Sequence, residues 1–256
     1  MASAKITGEF KGWSKKYASS DVIIVGGGPA GLMAALDLAR LDLKILVVES
    51  SSAVGGRLWA SDFLISTSGF MPQVREILDE LKVPYKKGKS GLSVTAGSNL
   101  SSKLISAVCD AGVRILNMAE FKDLIFTDEK VEGITINWVP QLSLKDKMIA
   151  GIPTTLKSQA IIDATGLDAR VCRLLMEKGA IKLDKHEQID VRASENMLLE
   201  KTGNIYPGLA VAGMAVAGIY GIPQGGLTLC SMLLSGRRVA DEVIKFLSEI
   251  FYLHVK

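Results

Sequence analysis

The chain has 256 residues, 48% of them apolar, with three cysteines, two histidines and a formal net charge of +3. That is enough chain for one large domain with a sizeable core. Lysines and arginines are scattered among acids, so there is no electrostatic case for nucleic acid or a membrane surface as partner. Residues 1–20 lack the apolar centre of a secretory signal, and the most apolar stretch, residues 205–235, is broken by Pro207, Pro223 and six glycines. No membrane span is therefore expected, and the cytoplasm is the expected compartment.

In chain order, residues 6–19 place Phe10, Trp13 and Tyr17 on one face of an amphipathic helix. Residues 21–25 form an apolar strand that runs into Gly26-x-Gly28-x-x-Gly31, and an apolar-periodic helix follows over residues 32–41. The first glycine suits a tight turn, the second lets the backbone approach a pyrophosphate, and the third lets the helix pack close on the strand. The helix start offers unpaired N–H groups and its positive dipole end to phosphate. A second strand over residues 44–48 ends at Glu49, 18 residues beyond Gly31, where a carboxylate can take a ribose hydroxyl. A glycine triplet alone is weak evidence; with strand, helix and acid in place it marks a dinucleotide site.

Residues 50–57 read as a polar loop. Residues 71–81 and 98–112 are helical by period, with Val74, Ile77, Leu78 and Leu81, then Leu100, Leu104, Ile105 and Val108, inward. Residues 113–118 read as a buried strand, and residues 122–126 and 131–138 as an antiparallel hairpin around Asp128-Glu129-Lys130. Residues 160–164 and 209–212 are further short strands, the charged stretch 182–188 is a loop, and a last helix is expected from about Gly226 to Phe251. The pattern predicts an α/β fold: a doubly wound, mainly parallel sheet of the Rossmann-like flavoprotein type with an antiparallel meander. It is expected as a single domain over residues 1–256, with small insertions near 60–97 and 122–157. Cys109 and Cys172 fall on apolar helical faces and are expected to be buried. No C-x-x-C pair exists and His186 and His254 stand apart, so no metal cluster is expected.

Three further elements suit a nucleotide. At Gly55-Gly56-Arg57 the backbone can lie against a diphosphate and the guanidinium can pair with it. Asp163-Ala164-Thr165-Gly166 ends a strand on the side where such sheets bind ligands. Pro223-Gln224-Gly225-Gly226 precedes the long helix, whose dipole would point at a carboxylate, a phosphate or a flavin pyrimidine edge. The candidate cofactor-binding residues are Gly26, Gly28, Pro29, Ala30, Gly31, Glu49, Ser50, Gly56, Arg57, Phe121, Thr165, Gly166, Gly213, Met214, Gly225 and Gly226. Gln224, Thr228 and Arg57 are placed toward a small-molecule substrate, and no catalytic acid or base stands out.

The run Tyr206-Pro207-Gly208-Leu209-Ala210-Val211-Ala212-Gly213-Met214-Ala215-Val216 is highly specific, as are Tyr220-Gly221-Ile222-Pro223 and Met232-Leu233-Leu234-Ser235-Gly236. Ser20-Asp21-Val22, Leu78-Asp79-Glu80-Leu81, residues 133–138 and Asp163-Ala164-Thr165-Gly166 add support. Through these the chain, from about Ile6 to Leu247, resembles the thiamine thiazole synthase family. The resemblance implies an enzyme that builds an adenylated thiazole carboxylate from NAD, glycine and sulfide, in a ring-like homo-oligomer. It implies a cysteine or histidine, one residue, then Asp-Pro before the D-A-T-G strand, and a histidine directly after that glycine. The aspartate and histidine hold iron, the cysteine gives up its sulfur, and an arginine in a P-R-M-G segment holds the glycine carboxylate.

Matched to those motifs, this sequence has Ala150, Ile152 before Pro153, Leu167 and Gln224. Aliphatic side chains cannot ligate iron, alanine has no sulfur, and glutamine cannot clamp a carboxylate with a charge-assisted fork. Asp146 and Asp168 are nearby carboxylates without a neighbouring histidine. The expectation is a divergent member that lacks the iron site and keeps the dinucleotide parts. Gly55-Gly56-Arg57, in place of the family's run of glycines, favours FAD over NAD, with redox chemistry carried by the cofactor. The alternatives are a thiazole synthase with other ligands, and a non-catalytic nucleotide-binding partner subunit of an active paralogue.

Overall fold

Val22, Ile23, Ile24 and Val25 are buried with no polar residue between them, the pattern of a strand covered on both faces. They form β1 (Ser19–Val25), at the centre of the main sheet. The computed structural model describes residues 18–59, 62–65, 71–87, 93–127, 130–138, 153–182, 193–226 and 228–254. β1 is parallel to β2 (Ile45–Val48) on one side and to β9 (Thr154–Asp163) on the other, with Val22 opposite both Ile45 and Ala160. β6 (Arg114–Leu116) continues the parallel sheet beyond β2, and β11 (Leu209–Val211) continues it beyond β9. β10 (Gly203–Tyr206) lies antiparallel at the edge. The mainly parallel α/β architecture expected from the sequence is present.

β9 is longer than its apolar residues alone suggest. Its second half lies in the parallel sheet, while residues 154–157 pair antiparallel with β8 (Val131–Trp138), itself paired with β7 (Ala119–Phe126). The expected hairpin is therefore joined to the sheet through one strand. The junction depends on Gly133, where a Cβ would stand 2.3 Å from the Leu156 carbonyl oxygen. β3 (Asp62–Ile65), β5 (Ser93–Ala96) and β4 (Lys86–Lys87) make a separate antiparallel sheet, with α2 (Met71–Glu80) between β3 and β4 in the chain.

α3 (Gly97–Asp110) turns Leu100, Leu104 and Val108 inward. Cys109, expected to be buried, is exposed, because one residue past Val108 the side chain points about 100° away. Cys172 is buried as expected, and so is Cys230. α4 (Arg170–Glu177) supplies the helical face expected at Cys172, whereas α5 (Ser194–Lys201) and α6 (Met214–Tyr220) have no counterpart in the sequence pattern. The last helix, α7 (Leu229–His254), starts after residues 224–226, which form a 3₁₀ turn. Of the helix expected over residues 6–19, Ser19 instead begins β1, while its aromatic face at Phe10, Trp13 and Tyr17, the loop at His186, and Ala150 and Ile152 lie outside the described residues.

α7 packs along α1 (Pro29–Ala39), the helix that follows the glycine turn. Pro29 opens α1, where its fixed φ suits the first turn and its missing N–H leaves nothing unpaired. Beyond the contact, Arg237 on α7 reaches Asp37 at 3.1 Å and Glu80 at 2.9 Å, and Arg40 pairs with both acids. Burial raises the pKa of Asp37 against the pull of Arg237. At Glu80 burial pushes the same way but Arg237 and Arg40 outweigh it and hold the carboxyl low. The Glu80 contribution is thus lost as pH falls through its titration, whereas that of Asp37 is lost as pH rises.

The helix pair comes into close contact at Gly236. A Cβ there would stand 2.4 Å from the Ala30 carbonyl oxygen and 2.8 Å from the Met33 Cβ. Gly236→Ala is expected to destabilise the protein by about 1–3 kcal/mol through overpacking. The check is a lower urea midpoint at unchanged slope.

Candidate functional site

β2, β1, β9 and β11 run in the same direction, and their carboxyl ends open onto a cavity of about 590 Å³. Open α/β sheets bind ligands at this end. Gly26, with φ +108°, passes so close to β9 that a Cβ would lie 2.2 Å from the Ala164 carbonyl oxygen. At Gly31 a Cβ would lie 2.0 Å from the Gly26 carbonyl oxygen. Gly31 therefore packs α1 onto the turn and does not line the cavity. Gly28 differs. Nothing stands within 4 Å of where its Cβ would be, so bare backbone faces the cavity beside Pro29 and Ala30.

Glu49 closes the β2 end. Its Oε2 accepts the Gly27 N–H at 2.8 Å, and its Oε1 accepts the Ser51 N–H at 2.8 Å and the Ser50 hydroxyl at 3.4 Å. A carboxylate has about four lone-pair sites, so capacity remains for a ligand hydroxyl. Gly56 and Arg57 reach the same cavity, with Gly56 stacked against Gly28. The Trp59 indole donates to the Val54 carbonyl at 2.8 Å and covers Gly55, which braces this loop. Ser50 and, from β7, Phe121 also line the space.

At the β9 end, Asp163 is fully buried and its carboxylate accepts three hydrogen bonds from within the protein. Oδ1 accepts the Thr165 N–H at 3.0 Å and its hydroxyl at 2.7 Å, while Oδ2 accepts the Cys172 N–H at 2.8 Å. Thr165 Oγ1 in turn accepts the Arg170 N–H at 2.7 Å. These bonds set Thr165 and Gly166 on the cavity wall and anchor the start of α4. Burial, reinforced by the Asp163 charge, drives the Cys172 thiol well above its ordinary range. Nearby, Glu120 pairs with Lys122 at 2.7 Å and Arg170 at 3.0 Å, and those two cations hold its carboxyl low.

The β11 end is held from behind. Gly213 donates its N–H to Ser235 Oγ at 2.7 Å, and Thr202 donates its hydroxyl to the Leu198 carbonyl at 2.7 Å. The 2.8 Å contact between the two hydroxyls therefore has Ser235 donating to Thr202. Gly213, Met214 and Gly225 line the cavity.

A model of the Thi4 family matches residues 3–229. The chain belongs to the Thi4 family. Curated relatives of this Thi4-family chain include the thiamine thiazole synthase of Aeropyrum pernix, 42% identical over 88% of this chain and 84% of that one. That of Pyrococcus horikoshii is 35% identical over 88% of each. The crystal structure of Thermovibrio ammonificans THI4 superposes with a TM-score of 0.83 at 29% identity, covering 96% of this chain and 97% of that chain. A geranylgeranyl bacteriochlorophyll reductase-like protein from Thermoplasma acidophilum shares the fold alone, at a TM-score of 0.58 and 14% identity. The thiazole synthase resemblance read from the sequence holds.

Within this Thi4-family fold, Leu167 is half-buried against the core and does not line the cavity. Its carbonyl is pressed onto Gly218, where a Cβ would lie 2.3 Å away, and Arg173 donates to it at 3.4 Å. A metal ion at that position would find no lone pair on the leucine side chain. Among the described residues no group of three His, Cys, Asp or Glu side chains could hold a metal ion. Gln224 and Thr228 line the cavity, as does Asp168, which stands 3.7 Å from Arg170. Sequence reading did not single out Glu120, Arg170, Glu195, Thr202 or Ser235 in the site. Each meets its partner across a tertiary contact that leaves no spacing signal.

Two measurements bear on this arrangement. Asp163→Ala is expected to cost about 1–3 kcal/mol for each backbone N–H left buried without an acceptor, read as a drop in unfolding free energy. In the folded protein a thiol reagent is expected to label Cys109 and spare Cys172 and Cys230 until denaturation. Modification of Cys172 in the native state would contradict its burial.

Proposed function

We propose that this Thi4-family protein binds a dinucleotide, FAD in preference to NAD, and performs redox chemistry through it without iron-dependent sulfide transfer. The observation that carries the reading is the contrast along one cavity. Its nucleotide end keeps the bare backbone of Gly28, the tight glycine contacts and the oriented Glu49 carboxylate. At the matched chemical positions stand Leu167, turned out of the cavity, and the uncharged Gln224. Cofactor-binding roles fall to Gly26, Gly28, Pro29, Ala30, Glu49, Ser50, Gly56, Arg57, Phe121, Thr165, Gly166, Gly213, Met214 and Gly225. Gly31 supports the turn from outside.

Arg57 has no ion-pair partner among the described residues and follows Gly56 on the cavity wall, which suits a diphosphate. Either cofactor, when bound, supplies the hydride chemistry. The chain's own part is to hold the ribose through Glu49, present N–H groups to the phosphates at the start of α1, and exclude water with Leu58, Phe121, Leu229 and Met232. A homo-oligomer belongs to the same reading. Leu41, Trp59 and Phe251 are at least half exposed and available to a subunit contact.

A second reading is retained thiazole synthesis with different ligands, favoured by the 42% identity to a thiamine thiazole synthase. Ligand released from the purified protein by denaturation separates the two. Flavin absorbance is expected; a colourless preparation yielding NAD or an adenylated thiazole would overturn the flavin assignment. A thiazole auxotroph carrying the gene, supplied with iron and sulfide, is expected not to grow, and growth would favour the second reading. Glu49→Ala is expected to weaken dinucleotide binding by about tenfold or more, from loss of hydrogen bonds to a charged acceptor.

A further inference from the structure

Thr228 stands immediately before α7 and lines the cavity. A threonine in that position ordinarily caps the helix, its hydroxyl accepting a first-turn N–H. Here the exchange runs the other way. Ser231 accepts the Thr228 N–H at 3.2 Å and donates its own hydroxyl to the Thr228 carbonyl at 2.8 Å. The Thr228 hydroxyl is left to donate to the carboxylate of Glu195, on α5. Glu195 is buried and does not itself line the cavity. A hydroxyl carries one proton. With that proton committed to Glu195, Thr228 Oγ1 presents only lone pairs to whatever occupies the cavity.

We infer that this part of the cavity selects a ligand group bearing an N–H donor, an amide or imide, over a carboxylate, and that Glu195 sets the preference by orienting the Thr228 proton. The inference rests on the dinucleotide reading above. A carboxylate beside Thr228 would meet lone pairs and, behind them, the buried charge of Glu195. The carboxamide of a nicotinamide, or the imide of a flavin pyrimidine, brings the missing proton. The start of α7 offers about half a positive charge, which suits the carbonyl oxygen of the same amide or imide but does not match the full charge of Glu195. Gln224 adds no cation. Of the two guanidiniums that line the cavity, Arg57 follows Gly56 beside Gly28, and Arg170 is paired with Glu120.

Competition binding with matched ligands tests this. One pair is NAD and its nicotinic acid analogue, which differ by carboxamide against carboxylate. The other is FAD and 3-methyl-FAD, which lacks the imide N–H, with ADP-ribose as reference. The wild type is expected to bind ADP-ribose and to prefer the N–H-bearing member of at least one pair by about tenfold or more. The pair that discriminates identifies the ring. Thr228→Val is expected to abolish the preference and Thr228→Ser to retain it. Glu195→Ala should bring it near unity while ADP-ribose affinity stays within about threefold.

If ADP-ribose does not bind, the dinucleotide reading fails and this inference with it. If ADP-ribose binds and neither pair is discriminated, or the preference survives both Thr228→Val and Glu195→Ala, the inference is overturned and the dinucleotide reading stands. Should Glu195→Ala not fold, the comparison of Thr228→Val with Thr228→Ser decides.

Discussion

At the end of β1 the chain folds back on itself with backbone touching backbone. Gly26 lies against Ala164 at the end of β9, and Gly31, one turn into α1, lies against Gly26; at each a Cβ would fall 2.2 Å or less from a carbonyl oxygen. No flexible side chain can yield to relieve such a contact, so any other residue would separate strand from strand or helix from turn. Because the contact is made, α1 can start beside the strand ends with its N–H groups toward the cavity. Gly236 carries the same logic outward by letting α7 lie on α1 at Ala30. Sheet, first helix and last helix therefore share one close-packed seam, and the cavity is what remains at its end.

The cavity walls are held by polar groups whose hydrogen bonds are made within the protein. Glu49 takes two backbone N–H groups, Asp163 takes two more and a hydroxyl, and Gly213 is tied through Ser235 and Thr202 to α5. Each such bond is worth only about 1 kcal/mol when made, but a buried donor left without its acceptor costs about 1–3 kcal/mol. That asymmetry makes these bonds mutually enforcing. They govern the shape of the site more than its stability. α5 contributes twice, through the Leu198 carbonyl behind Gly213 and through Glu195 behind Thr228, although neither Leu198 nor Glu195 lines the cavity.

Membership of the Thi4 family explains why so much of the chain follows its relatives. Leu167 has a well-defined local setting. The 3₁₀ turn that carries it is clamped between Gly218 and Arg173, with its aliphatic side chain packed on the core. Asp168, one residue on, is the side chain that the turn offers to the cavity.

Much of the fold was legible because its signals are short-range. The apolar run of β1, the glycine spacing, the Glu49 offset, the period of α2 and α3 and the hairpin of β7 and β8 lie within a few turns or strand lengths of sequence. The first half of β9 was not legible, since Thr154, Thr155, Lys157 and Ser158 carry no apolar run and acquire strand geometry only through their ladders, residues 154–157 with β8 and Lys157 and Ser158 with β1. Cys109 went the same way, its exposure decided by one residue's rotation on a packed helix. The sequence by itself determined the glycine spacing, the Glu49 offset and the identities of Ala150, Ile152, Leu167 and Gln224, because residue identity alone decides whether a side chain carries a lone pair or a charge. Only the tertiary structure decided which way Thr228 points its proton and what holds Gly213. Those answers come from Glu195 and Ser235, 33 and 22 residues distant, and hydrogen bonds across such separations leave no trace in local pattern.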